Sequence, residues 1–101
     1  MVLRARFQGG TGTPAELVAA AMAGDGTVDL GRGLALRARR VAGAKRLEVE
    51  GWRPEQIADL KAAGCFTEIV AFQLRAFVPV GDGAEAVIEA IRGGRGLQVA
   101  A

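Results

Sequence analysis

Eleven of the thirteen basic residues in this chain are arginine, and six of them, Arg4, Arg6, Arg37, Arg39, Arg46 and Arg75, fall in segments whose apolar residues alternate. A planar guanidinium matches two oxygens of a phosphate or carboxylate at once. Arginines spaced two apart along strands put such donors in rows on one side of a sheet. That is the chemistry of a binding surface rather than of a reaction centre. Histidine and tyrosine are absent, which removes the usual base near neutral pH and the commonest transition-metal ligand, and with them the familiar nucleophilic triads. Asp59 and Glu68 stand apart and form no recognisable carboxylate pair. The lone Cys65 has no disulfide mate and no zinc spacing; lying between Gly64 and Phe66, it reads as a small buried hydrophobe. These residues predict no enzyme, no metal and no cofactor.

One further segment could hold an anion. Gly9-Gly10-Thr11-Gly12 runs into Thr13-Pro14-Ala15-Glu16, where Thr13 can cap a helix, Pro14 suits its first turn and Glu16 completes a capping box. Free amides at such a start can take a phosphate. The segment lacks the Lys-Ser/Thr ending of a nucleotide loop and the full Gly-x-Gly-x-x-Gly spacing, and a simple capped turn is the better account of it.

The elements that position the arginines follow from periodicity. Residues 2–7 (VLRARF) alternate with Arg4 and Arg6 on one side, and a helix over about 14–23 follows, ended by a left-handed Gly24. Residues 24–33 carry four glycines and read as a turn-rich connection with a short extended piece near 28–30. A strand over about 34–41 points Leu34, Leu36 and Ala38 inward and Arg37 and Arg39 outward. Another over about 45–50 points Leu47 and Val49 inward and Arg46, Glu48 and Glu50 outward. A Gly43-Ala44 type II′ turn between them sets Arg39 opposite Glu48 and Arg37 opposite Glu50, pairs that contribute about 0.2–1 kcal/mol each.

A helix from Pro54 to about Ala63 ends at Gly64, with Trp52 as a hydrophobic staple. Residues 65–80 then read as one long strand, with Val70, Phe72, Leu74, Ala76 and Val78 on one face and Ile69, Gln73, Arg75 and Phe77 on the other. An Asp82-to-Glu85 capping box opens a last helix, and the tail 94–101 is either a short extra strand or mobile. The order predicts one α+β domain over 1–101. Its fold is ferredoxin-like, a split βαββαβ sandwich with a four-stranded antiparallel sheet, two helices on one face and a C-terminal helix appended. Residues 2–7 take a central place in the sheet, and one sheet face is left open.

Half of the 101 residues are apolar and the formal net charge is +2, enough for one core and too short for two. No long apolar run or leader pattern is visible, so a soluble, cytoplasmic protein without a membrane segment is expected. A GC-rich genome would raise Arg, Ala, Gly and Val together, which explains the arginine total but not its placement.

The stretches GRGLALRAR (31–39), RLEV (46–49), LKAAGCFTEIV (60–70) and RAFVP (75–79) resemble the C-terminal region of bacterial and phage strawberry notch-like proteins over about half of the chain. In that family a helicase-type core, sometimes joined to a methyltransferase, precedes such a region. No Walker motif, acidic helicase box or methyl-donor site is present here, so no catalytic residue carries over. The resemblance implies a nucleic-acid-processing context on mobile elements.

Two functions are therefore expected. One is a non-enzymatic accessory domain contacting nucleic acid, or a complex that processes it, through Arg4, Arg6, Arg37, Arg39, Arg46, Arg75 and Phe77. The other is a phage- or plasmid-type inhibitor or adaptor that binds another protein through Ile69, Phe77 and nearby arginines, with a homodimer as one form. The strands over 2–7 and 45–50 present none of the outward aromatics on which sequence-specific RNA readers stack bases, and a solvated face held by cross-strand ion pairs is the simplest alternative.

Overall fold

The computed structural model describes residues 12–24 and 26–93. Helix α1 spans Pro14–Ala23, and strands β1, β2 and β3 span Thr27–Gly31, Leu34–Val41 and Ala44–Glu50. A 3-10 turn at Pro54–Gln56 leads into α2, Ile57–Ala63; β4 and β5 span Phe66–Val70 and Gln73–Val78, and α3 spans Ala84–Gly93. The fold is α+β. Its five strands form one antiparallel sheet in the order β1-β2-β3-β5-β4.

Local chemistry explains the helix ends. The α1 capping box forms in both directions: the Glu16 amide donates to Thr13 Oγ1 at 3.1 Å and the Thr13 amide to Glu16 Oε1 at 2.9 Å. Gly24 closes α1 through its amide to Ala20 O (3.1 Å), but in an extended conformation (φ −102°) rather than the left-handed one expected. Gly64 does end α2 left-handed, at φ 117°, where a Cβ would lie 2.7 Å from Val87 Cγ2; its bare backbone is what lets α3 pack there. Helix α3 begins at Ala84, so Gly83 rather than Asp82 precedes it and the Asp82–Glu85 spacing does not bracket its first turn.

All three helices cover one face of the sheet. Leu17 and Ala21 of α1, Leu60 of α2 and Val87, Ile88 and Ile91 of α3 pack on Val28, Leu30, Leu34, Leu36, Leu47, Val49, Ala76 and Val78. Each fully buried large aliphatic side chain there contributes about 1.5–3 kcal/mol. Trp52 is half-buried against the same core.

Three expectations are corrected. The run 65–80 is not one strand but the β4–β5 hairpin, reversed at Ala71 and Phe72, both left-handed at φ 52° and 67°. The glycine-rich connection contributes a strand, β1, so the described residues form a sheet of five strands against the four expected. The β2–β3 turn is Ala42-Gly43 (φ 52° and 84°) instead of Gly43-Ala44, so Arg39 faces Arg46 and Arg37 faces Glu48. A two-residue slip preserves which face each side chain takes.

These pairings also differ from the split arrangement. There a strand at 2–7 would lie between 44–50 and 73–78, but β3 bonds directly to β5 through Leu47–Val78, Glu48–Phe77 and Val49–Ala76. Residues 2–7 and the tail 94–101 lie outside the described residues. No described helix is long and apolar enough to cross a membrane.

Candidate interaction surface

Strand alternation brings Arg37 and Arg39 of β2, Arg46, Glu48 and Glu50 of β3, Phe77 and Arg75 of β5, and Phe66 and Glu68 of β4 onto the sheet face opposite the helices. Four of the six arginines read as a surface thus share one face. Arg4 and Arg6 lie outside the described residues.

Every one of these four arginines holds a carboxylate. Arg39 Nε donates to Glu48 Oε1, and Arg75 Nη1 reaches Glu48 Oε2 at 2.8 Å from the next strand. Arg39 Nη2 and Arg37 Nη1 both approach Glu50 Oε2, at 3.4 and 3.6 Å. Arg46 pairs with Glu68. The pairs Arg39–Glu48 and Arg37–Glu50 expected directly across the ladder are made diagonally, within reach of long side chains. Arg39 and Arg46 face each other with like charge and are kept compatible by turning to different carboxylates. The hydrogen bond that Arg39 donates to Glu48 raises the Arg39 pKa above its usual value; desolvation opposes it, and Glu48 and Glu50 add charge attraction.

Glu48 is the centre of this lattice. It is the buried charged residue of the described core region, 4% exposed, and two guanidinium groups from two different hairpins satisfy it. A buried carboxylate persists only with such partners. Arg75 also donates to Gln73 Oε1 at 3.0 Å, while its Nε is buried without a partner.

Phe77 is placed differently from expectation. It stays on this outer face but is completely buried, stacked on Phe66 at a centroid distance of 5.5 Å and 26° between planes. The Arg46 guanidinium lies 5.5 Å from its ring centre, within cation–π range. It is a floor under the ion pairs and offers no surface to a partner.

Ile69 moves to the other face, because a two-residue reversal at Ala71-Phe72 breaks the parity it shared with Phe77. It now pairs with Leu74 on the helix side, where no described helix covers them: Ile69 is 71% and Leu74 49% exposed, and Phe72 at the turn is fully exposed. Sequence reasoning assigned Phe72 and Leu74 to the core. The available signal was length, since one strand over 65–80 exceeds the usual 3–10 residues.

The remaining candidates are structural. Gly12 and Thr13 belong to a capped helix start, the Gly12 carbonyl accepting from Arg92 Nη1 at 2.7 Å; Gly9, Gly10 and Thr11 lie outside the described residues. Cys65 is buried, and desolvation pushes its pKa up to about 11, so its thiol stays protonated and unreactive near neutral pH. A polar hollow lined by Arg32, Gly33, Gly51, Arg53, Glu55 and Gln56 mixes both charges. Comparison with family models, with curated proteins and with solved structures finds no match to this chain.

Proposed function

We propose that this domain is a non-enzymatic protein-binding module whose contact is the β4–β5 hairpin, flanked by the glutamate-balanced arginine face. The observation that carries the reading is Phe72. A bulky side chain in the left-handed region costs about 1–2 kcal/mol, and a fully exposed aromatic forgoes burial as well. Glycine or asparagine would remove both costs at this turn position. A strained, solvent-facing aromatic beside Ile69 and Leu74 has the make-up of a binding hot spot. Following the strawberry notch-like resemblance, its setting is a nucleic-acid-processing complex or a phage- or plasmid-type adaptor.

The test is retention of a partner. Immobilised wild-type protein is expected to retain a specific protein from host extract that Phe72→Gly releases while the circular dichroism spectrum is unchanged. Identical retained proteins for both forms, together with unchanged self-association, would remove the reading.

Direct nucleic-acid contact is the second reading, favoured by Arg37, Arg39, Arg46 and Arg75 sharing an uncovered face. A phosphate must displace a carboxylate from each of them, so this reading requires binding that weakens steeply between about 50 and 200 mM salt. Titration of single- and double-stranded DNA and RNA decides it: steep salt dependence lost in Arg37→Glu would rank nucleic acid first.

A further inference from the structure

We infer that the occupant of the hairpin is a second copy of this chain, added strand to strand along β4 to continue the sheet; this rests on reading the hairpin as a docking surface. Strand β4 ends the sheet, and its outer edge has no partner among the described residues. The two-residue turn makes Val70–Gln73 the closing hydrogen-bonded pair, so the backbone groups of Thr67 and Ile69 point away from β5.

The two edges of the sheet are built differently. At β1 the ladder register breaks between Asp29 and Gly31, an irregularity of the kind that discourages edge pairing. Strand β4 (FTEIV) pairs with β5 in unbroken register from Phe66–Phe77 to Val70–Gln73. It contains no proline and no lysine, and its one charge, Glu68, is occupied by Arg46. Among the described residues, four of the five exposed large hydrophobic ones, Phe66, Ile69, Phe72 and Leu74, lie on this hairpin.

The sequence of β4 selects a register with itself. Antiparallel pairing about a two-fold axis at Glu68 would oppose two carboxylates. An axis at Thr67 would set Ile69 against the buried Cys65. An axis at Ile69 sets Ile69 against Ile69 of the second copy, Glu68 against Val70, Thr67 against Ala71 and Phe66 level with Phe72. Only this register sets Ile69 against Ile69 on the helix side and Phe66 level with Phe72 of the other copy, and it makes a sheet twice as wide with both arginine faces on one side.

Sedimentation velocity over a concentration series of the full chain tests the proposal. A dimer is expected for wild type, and a monomer with unchanged melting temperature for Ile69→Lys, which sets two like charges at the axis. In a Cys65→Ser background, Ile69→Cys is expected to form a covalent dimer on oxidation with diamide and Thr67→Cys is not. A wild-type monomer at all concentrations, or a dimer indifferent to Ile69→Lys, overturns the inference. A monomer whose β4 amides are protected from hydrogen exchange overturns it in favour of the chain's own residues 2–7 as occupant. A monomer that still loses an extract partner on Phe72→Gly overturns self-association alone and leaves the docking reading in place.

Discussion

The β2–β3 and β4–β5 hairpins reverse through two-residue turns that begin alike, Ala42 and Ala71 both at φ 52°, and differ at the next position, where one has Gly43 at φ 84° and the other Phe72 at φ 67°. Glycine holds that conformation without strain; phenylalanine does not. The first turn is therefore a device for closing a sheet. The second closes a sheet at a cost and displays an aromatic ring, and the difference locates the surface of interest.

Arginines from both hairpins share the carboxylate of Glu48, and the largest expected effect comes from removing it. Glu48→Ala should cost about 3 kcal/mol by urea unfolding, since it leaves Arg39 of β2 and Arg75 of β5 without their shared carboxylate on either side of β3. Glu68→Ala, which breaks an exposed pair at one end of the sheet, should cost less than about 1 kcal/mol. Equal losses would mean that the lattice is only surface charge and that the hairpins are joined by packing alone.

The next effect separates the hairpins by pH. Cys65 leads into β4, and burial raises its pKa from 9.0 to about 11, so the folded state favours the protonated thiol. That stability is fully present below about pH 9 and is lost as pH climbs towards 11, amounting at most to about 2–3 kcal/mol. The fall should be steeper in wild type than in Cys65→Ala, with the β4–β5 amides exchanging first. A Cys65→Ala protein with the same alkaline profile would show that the thiol plays no part.

The smallest effects exchange the two turns. Phe72→Gly should stabilise by about 1 kcal/mol and Gly43→Phe should destabilise by a similar amount, read from thermal unfolding. If Phe72→Gly destabilises instead, the ring contributes to the fold of the isolated chain and the distinction between the turns fails.

The contrast also explains what was legible in the sequence. The first hairpin announced itself through Gly43 and alternation on either side, and Thr13 with Glu16 marked the start of α1. The register could not be read, because one glycine fits either the second place of Ala42-Gly43 or the first place of Gly43-Ala44. The second turn has no Gly, Asn, Asp or Pro at its centre, so β4 and β5 merged into one strand. That error carried Ile69 to the wrong face and left Phe72 in the core. Alternation did place Arg37, Arg39, Arg46 and Arg75 together. Their neutralisation was half visible: the β2–β3 pairs follow from one hairpin, whereas Arg75–Glu48 and Arg46–Glu68 depend on β3 lying beside β5, which no local pattern encodes. The extended piece near 28–30 is β1, but the glycines around it hid that it joins the sheet.

The junction between the two halves of the sheet is only three residue pairs long, Leu47–Val78, Glu48–Phe77 and Val49–Ala76, against seven between β2 and β3 and five between β4 and β5. A zipper that short opens before the ladders beside it. Native-state exchange should accordingly resolve two cooperative units, a slowly opening β1–β3 meander and a β4–β5 flap that detaches as one piece, so that the surface presented for contact is also the part of the molecule that unfolds most cheaply.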